Sequence, residues 1–245
     1  MRAREIDLIR HLPLFAALSP DQMPELLSAA LLQRFARGTR LFHQGDQPDF
    51  LHILVEGAVE LSALSAEGRE TTIEILAPVD SFILAAVLLD TPYLMGAQTL
   101  EGSRLLMLPA KRLRAEIAQR PDLALRMLAS MAEEFRKMVR QLKDMKLRTG
   151  TERLAAYLLR LHRLGGGSGG GVTLPVPKRV LAGRLAMSPE NLSRALATLR
   201  DHGVVVRGTV IELTDIPRLE AFCLPDALID GEDGGAGLAD AAATC

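Results

Sequence analysis

The sequence predicts an α+β fold in three stretches: an N-terminal antiparallel β-sandwich or roll, one long helix, and a pair of short helices followed by a β-hairpin. Three observations predict it. Apolar and polar residues alternate between glycine turns from about Leu32 to Leu108. Asp122–Arg148 holds neither Pro nor Gly and repeats its apolar residues at helical spacing. "PKRVLAGRLAMSPENLSRALATLR" then sets a helix start signal, Ser-Pro-Glu, between two short apolar stripes.

In the first stretch, "FLHILVEGAVEL" alternates on both sides of a Glu56-Gly57 turn. "LSALSAEGRETTIEIL" does the same around Ala66-Glu67-Gly68. Short strands joined by such turns make an antiparallel sandwich or roll, expected over residues 1–120. Periodicity leaves open whether this roll is a sensor or a scaffold.

The long helix carries Leu128, Met131, Phe135, Met138, Leu142 and Met145 at spacings of 3, 4, 3, 4 and 3, a heptad seam. A stripe of this kind can pack on its own domain or on a second copy. The flanks are densely charged (Glu133, Glu134, Arg136, Lys137, Arg140, Lys143, Asp144) and the seam is narrow and built from adaptable residues. Both features favour self-pairing, so residues 121–149 are expected to be a dimerisation helix.

Residues 150–222 open with a further helix, "GTERLAAYLLRLHRL", whose inner side is expected at Leu154, Tyr157, Leu158 and Leu161. In the helix pair that follows, Leu181, Ala182 and Leu185 form the buried stripe of a short first helix. Ser188 is a good N-cap, Pro189 suits the first helical position, and Glu190 complements the positive end of the helix dipole. At 100° per residue, Leu192, Ala195, Leu196 and Leu199 point one way and Glu190, Ser193, Arg194 and Ala197 the other. This is a helix-turn-helix, one helix bracing a second whose polar N-terminal face enters a DNA major groove. Arg can donate twice to guanine O6 and N7, and Glu can accept from cytosine N4. Glu190, Ser193 and Arg194 are therefore the candidate base readers. Lys178, Arg179, Arg184, Ser188, Arg200 and Arg207 are candidate phosphate contacts, with His202 beside them. "GVVVRGTVIEL" adds a hairpin around Arg207-Gly208, the wing of a winged helix.

Between these parts, "GGGSGGG" (Gly165–Gly171) lacks the Lys-Ser/Thr of a phosphate loop and the spaced glycines of a dinucleotide site, and reads as a flexible connector. Residues 223–245, rich in Gly, Ala and Asp, are expected to be a disordered acidic tail.

Charge agrees with a nucleic-acid partner once it is divided along the chain. The net charge is −1. Residues 151–222 carry ten Lys/Arg and six Asp/Glu, whereas residues 223–245 carry five acids and no base. The helix-turn-helix stretch is the basic one, as phosphate binding requires. Cys223 and Cys245 cannot build a zinc site or an Fe–S cluster, which needs four thiolates. No metal-ligand set, nucleophile–base pair or phosphate loop appears, which argues against an enzyme. The longest apolar run, Phe82–Leu89, falls well short of the ~20 residues that span a bilayer. With no signal-peptide pattern either, a cytoplasmic location without a membrane partner is expected.

With these residues in view, the chain resembles the CRP/FNR superfamily of bacterial transcription regulators over roughly residues 10–222. The resemblance is carried by "LFHQGDQPDFLHILVEGAVELSALSAEGRE", the long helix and "VPKRVLAGRLAMSPENLSRALATLRDHGVV". It implies that the N-terminal part is an antiparallel β-roll of jelly-roll type, like the cyclic-nucleotide-binding domain, that acts as a sensor. It also implies a homodimer on palindromic double-stranded DNA, and contact with RNA polymerase as an activator. Glu190, Ser193 and Arg194 match the Glu-x-x-Ser-Arg with which FNR-type members read a TTGA-type half-site. Ala186 departs from the family pattern, standing at the turn where many members have Gly.

Within the superfamily the chain is most similar to the DNR/NNR branch, denitrification regulators that respond to nitric oxide, through "LLDTPYLMGAQTLEGSRLLMLP" and "SPENLSR". That resemblance implies heme in an apolar pocket. Of His11, His43, His52, Tyr93 and the methionines, His11 is the candidate axial ligand. Cyclic-nucleotide members hold the phosphate with a Gly-Glu and an Arg-Ser pair. Here Ile83-Leu84 and Tyr93-Leu94 fall in those places, so neither cAMP nor cGMP is expected to bind. The alternative to a ligand-gated regulator is an orphan of the same fold, controlled by its abundance.

Overall fold

Two four-stranded antiparallel sheets form the N-terminal part of the computed structural model, which describes Ile9, Phe15 and residues 22–165, 171–208 and 210–231. In chain order these are α1 (Gln22–Leu27), β1 (Leu31–Phe35), β2 (Arg40–Phe42), β3 (Phe50–Glu56), β4 (Val59–Leu64), β5 (Glu70–Leu76) and β6 (Asp80–Phe82). They are followed by α2 (Leu84–Leu89), β7 (Gly96–Thr99), β8 (Ser103–Pro109) and α3 (Ala110–Gln119). One sheet runs β1-β8-β3-β6 and the other β2-β7-β4-β5.

The two glycine turns read from the sequence do different work. Ala66-Glu67-Gly68 closes a true hairpin, with β4 and β5 paired from Val59↔Leu76 to Leu64↔Glu70 across one register shift between Leu61 and Ser62. Glu56-Gly57 instead carries the chain from one sheet to the other, because β3 and β4 belong to different sheets. Gly57 has φ 94°, and a Cβ there would collide with Ser103 and the Gly102 carbonyl oxygen. No other residue fits that corner.

Strand β3 is buried on both faces. Leu51, Ile53 and Val55 join Leu106, Leu108, α2, α3 and the start of the long helix in one core. Leu54 faces the other core, between the sheets, with Phe42, Val59, Leu61, Phe82, Tyr93 and Leu105. His52 is buried too, its ring 5.2 Å from Phe42 and 5.5 Å from Phe82.

The long helix α4 (Pro121–Leu147) changes character along its length, and the molecule divides into two compact units between Glu134 and Phe135. Upstream, Leu123 and Met127 are fully inside the roll's helical core. Downstream, the seam residues Phe135 and Met138 are 65% and 63% exposed, and Leu142 and Met145 are exposed as well. Leu128 is also exposed. Met131 departs from the expected seam: it is partly buried against the roll's core.

The second unit continues with α5 (Gly150–Leu164), β9 (Gly171–Thr173), α6 (Lys178–Arg184), α7 (Pro189–Thr198) and a 3-10 turn (Leu199–His202). Strands β10 (Val204–Arg207) and β11 (Val210–Leu213) and helices α8 (Ile216–Cys223) and α9 (Ala227–Asp230) complete it. Helix α5 is started by a capping box in which Thr149 and Glu152 satisfy each other's backbone N–H groups. Its inner face lies at Leu154, Ala155, Leu158, Leu159 and His162, rotated from the expected one, so that Tyr157 and Leu161 are half-buried. The wing hairpin forms as expected and gains a third strand, in the order β10-β11-β9. Of the expected connector, Gly166–Gly170 lie outside the described residues, while Gly171 already pairs with Glu212.

One expectation is corrected at the C-terminus. The start of the stretch assigned to a disordered tail, residues 223–245, is ordered: Cys223 ends α8, and Asp226 caps the short helix α9 through the Leu228 N–H. Residues 232–245 lie outside the described residues. Among the described residues no helix is long and apolar enough to cross a membrane, and no cluster of His, Cys, Asp and Glu could hold a metal ion.

Candidate nucleic-acid interface

Helix α7 is shaped by its first residues. Ser188 is extended (φ −76°, ψ 159°), and its hydroxyl accepts the Asn191 N–H at 3.2 Å. Pro189 occupies the first turn, where no partner for its nitrogen is needed. Leu192, Ala195 and Leu196, with Leu199 just beyond, are buried. Burial of each leucine is worth roughly 1.5–3 kcal/mol, enough to fix the helix on this side. Glu190, Ser193, Arg194 and Ala197 are all exposed on the other side, as the helical period requires.

The Glu190 carboxyl lies below its usual range, held there by the Ser188 hydroxyl, its own backbone N–H and the charge of Arg194. It is therefore an anion at neutral pH, able to accept but not to donate. Ser193 donates its hydroxyl to the Pro189 carbonyl oxygen at 3.0 Å, leaving its lone pairs facing solvent. Acceptor, hydroxyl and guanidinium are thus presented side by side on one rigid surface.

Helix α6 braces this surface through Val180, Leu181, Ala182 and Leu185, all buried. The turn between the helices is a Schellman closure. Met187 N–H donates to the Ala182 carbonyl oxygen at 2.9 Å, and Ala186 N–H to that of Gly183 at 2.8 Å. Ala186 sits at the left-handed position, φ 52°, which glycine ordinarily fills. Alanine accepts this turn geometry at a conformational cost.

Around the reading face, Lys178, Arg179, Ser188 and Arg200 are exposed, and Arg184 is half-buried. Arg207 is exposed on the wing and paired with Glu212 at 2.8 Å, so a phosphate must compete with that carboxylate. His202 is half-buried and packs its ring on Phe222, centroids 4.2 Å apart.

Two arginines at the base of the domain escaped the sequence reading. Arg153 is buried, and its guanidinium donates to the Arg148 carbonyl oxygen (2.7 Å) and the Leu185 carbonyl oxygen (3.0 Å). It ties the end of α4 to the turn before the reading helix. Arg148, also buried, pairs with Asp144 and Asp230. One signal was available for Arg153: a cation in the first turn of a helix opposes the dipole and needs a reason.

In the roll stand the four residues that the resemblance matches to phosphate-holding positions. Ile83 has φ 64°, a backbone conformation that suits glycine, and Leu84 is buried in the core. Tyr93 is buried with its ring 4.1 Å from Phe42, and Leu94 is exposed. None of the four is a cation. The candidate heme ligand His11 lies outside the described residues. His43 is exposed beside Asp46. His52 is wedged among Phe42, Phe50 and Phe82, and burial pushes its pKa down to about 4, leaving a neutral ring. Burial, with Asp49 nearby, pushes the Tyr93 phenol up to about 12. Neither buried ring fits an axial heme ligand as it is packed.

Comparison with known proteins agrees with this architecture. Residues 32–120 match the cyclic nucleotide-binding domain family, and residues 152–222 the Crp-like helix-turn-helix domain family. The CRP-like cAMP-activated global transcriptional regulator of Mycobacterium tuberculosis is 26% identical over 87% of this chain and 97% of its own length. Among solved structures, a proposed cyclic nucleotide binding protein of Ruegeria pomeroyi is 30% identical. It covers 91% of this chain and 98% of its own, with a TM-score of 0.62. DNR from Pseudomonas aeruginosa is 30% identical over the same shares, with a TM-score of 0.51. Other curated relatives are likewise named as regulators, among them the transcriptional activator protein Anr of Pseudomonas protegens, and none of these names is that of an enzyme. With its roll, its braced reading helix and its wing, the chain belongs to the CRP/FNR family of DNA-binding transcription regulators.

Proposed function

We propose that the protein acts as a homodimer on a TTGA-type palindrome, reading each half-site with Glu190, Ser193 and Arg194 and activating transcription through contact with RNA polymerase. The observation that carries this reading is the division of α7 into a buried apolar side and an exposed Glu190/Ser193/Arg194 side. Lys178, Arg179, Ser188, Arg200 and Arg207 supply phosphate contacts that set register. The exposed seam from Phe135 to Met145 supports pairing with a second copy, since large apolar side chains in a row on one helix call for a partner.

The signal is a small molecule other than a cyclic nucleotide. A buried cyclic phosphate without a cation beside it is very costly, and Ile83, Leu84, Tyr93 and Leu94 offer none. The cAMP activation of the Mycobacterium relative is therefore not carried over. Nitric oxide is supported by the resemblance to the DNR/NNR branch, with His11 as the proposed heme ligand; titration of the purified protein with heme, read as a Soret shift, tests that part. The buried packing of Leu84 and Tyr93 also favours a second reading, an orphan regulator set by its abundance.

The deciding experiment is a gel shift of the purified protein on the palindrome and on a scrambled duplex, with sedimentation of the complex. Two chains per palindrome, with weak binding to the scrambled duplex, support the reading. Equal binding to both duplexes overturns it. Micromolar cAMP binding by calorimetry, coupled to tighter DNA binding, overturns the exclusion of cyclic nucleotides.

A further inference from the structure

We propose that the short C-terminal helix α9 is a strap that positions the reading head, holding the joint below α5 through the Asp230–Arg148 pair. This rests on the reading of α7 as the DNA-contacting helix.

The contact is built in detail. Arg148 grips Asp230 with both ends of its guanidinium, at 2.8 and 2.6 Å, and also donates to Asp144 at 3.0 Å. Its side chain is 6% exposed. Burial pushes the Asp230 carboxyl up, but bonds from Arg148 and the Asp226 N–H outweigh it and leave the group below its ordinary range. A bidentate pair out of solvent is the strong form of such a contact.

What the pair holds gives it a role. Arg148 stands at the break between α4 and α5, and its carbonyl oxygen receives the Arg153 guanidinium, which also binds Leu185 in the turn before α7. The joint is crowded: a Cβ on Gly150 would come within 2.8 Å of Met187. Three parts meet through two arginines, namely the tail, the end of the long helix and the turn that aims the reading helix.

Among the described residues the strap has few other ties. Helix α9 has no buried residue, and Leu224 and Leu228 are 74% and 71% exposed. Among the described residues its other ties are the looser Lys143–Asp226 pair at 3.9 Å and a long bond from the Arg148 guanidinium to the Leu224 carbonyl oxygen at 3.4 Å. A helix of four residues does not persist without an anchor. Asp230 is therefore the point at which the strap is fastened or released, and fastening limits the orientations of α7 against the last turns of α4.

The test compares Asp230→Asn with the unaltered protein in the full chain. Asp230→Asn is expected to lower affinity for the palindrome by about tenfold while leaving affinity for the scrambled duplex unchanged. Hydrogen exchange should quicken at the amides of 148–153 and 185–188, and Asp230→Glu should restore part of both effects. A change of palindrome affinity below about twofold, or a gain, overturns the proposal. If the unaltered protein fails to select the palindrome, the reading of α7 is at fault. The exchange measurement then still decides the strap, and unchanged exchange at the joint sinks it. Arg148→Met combined with Asp230→Asn adds a check: the double variant should cost no more than the larger single change.

Discussion

The two halves of helix α4 carry apolar residues at similar spacing and meet opposite surroundings. Leu123 and Met127 lie inside the roll's core, while Phe135, Met138, Leu142 and Met145 stand in solvent on an isolated chain. An apolar period along a helix states that something covers it, and leaves unsaid what. Upstream the cover is the same chain; downstream the proposed cover is a second copy. Leu128, exposed, and Met131, partly buried, mark the stretch where one regime gives way to the other.

The largest expected effect tests the closed half. Leu123→Ala should cost about 2–5 kcal/mol in urea unfolding, because the packed core cannot refill the space. Leu142→Ala, measured at a concentration low enough to keep chains apart, should change stability by less than about 0.5 kcal/mol. It should instead weaken self-association in sedimentation. Equal unfolding costs for both would erase the distinction between the halves.

The roll's closure also has a pH signature. His52 is neutral in the fold because burial lowers its pKa to about 4 from 6.5. Between those values the unfolded chain binds the proton and the folded one does not, so stability falls as pH drops from about 6.5 to 4. The loss is on the order of 3 kcal/mol. Denaturation curves at pH 7, 5.5 and 4 should show this slope, and His52→Leu should flatten it.

On the open side, Arg194→Ala should cost about 1–3 kcal/mol in binding to the palindrome, read by gel shift, with the dimer intact. The smallest effect concerns the turn. Ala186→Gly should raise stability by up to about 1 kcal/mol in thermal unfolding, because it relieves a left-handed alanine. A loss of stability would mean that the Schellman turn is not formed as described.

The reading helix was legible because its signals are local: a cap at Ser188, a proline after it, and four apolar residues at the helical period. The roll was legible as a class but not in detail. Strand β3 is buried on both faces, so alternation could not reveal that Leu54 and Ile53 serve different cores or that Gly57 turns a corner between sheets. The joint was out of reach for a different reason. Arg153 finds Leu185 32 residues away and Arg148 finds Asp230 82 residues away. Composition correctly marked the tail as acidic and glycine-rich, but composition does not register a single paired carboxylate.

The bare stripe from Phe135 to Met145 also bears on how strongly the gene switch would respond to its own supply. A reader that works in pairs has to find its twin before it can grip both half-sites. At scarce levels its occupancy of an operator then climbs with the square of the amount made. Such a chain would turn modest changes in synthesis or degradation into sharp changes in output, with or without a ligand in the roll.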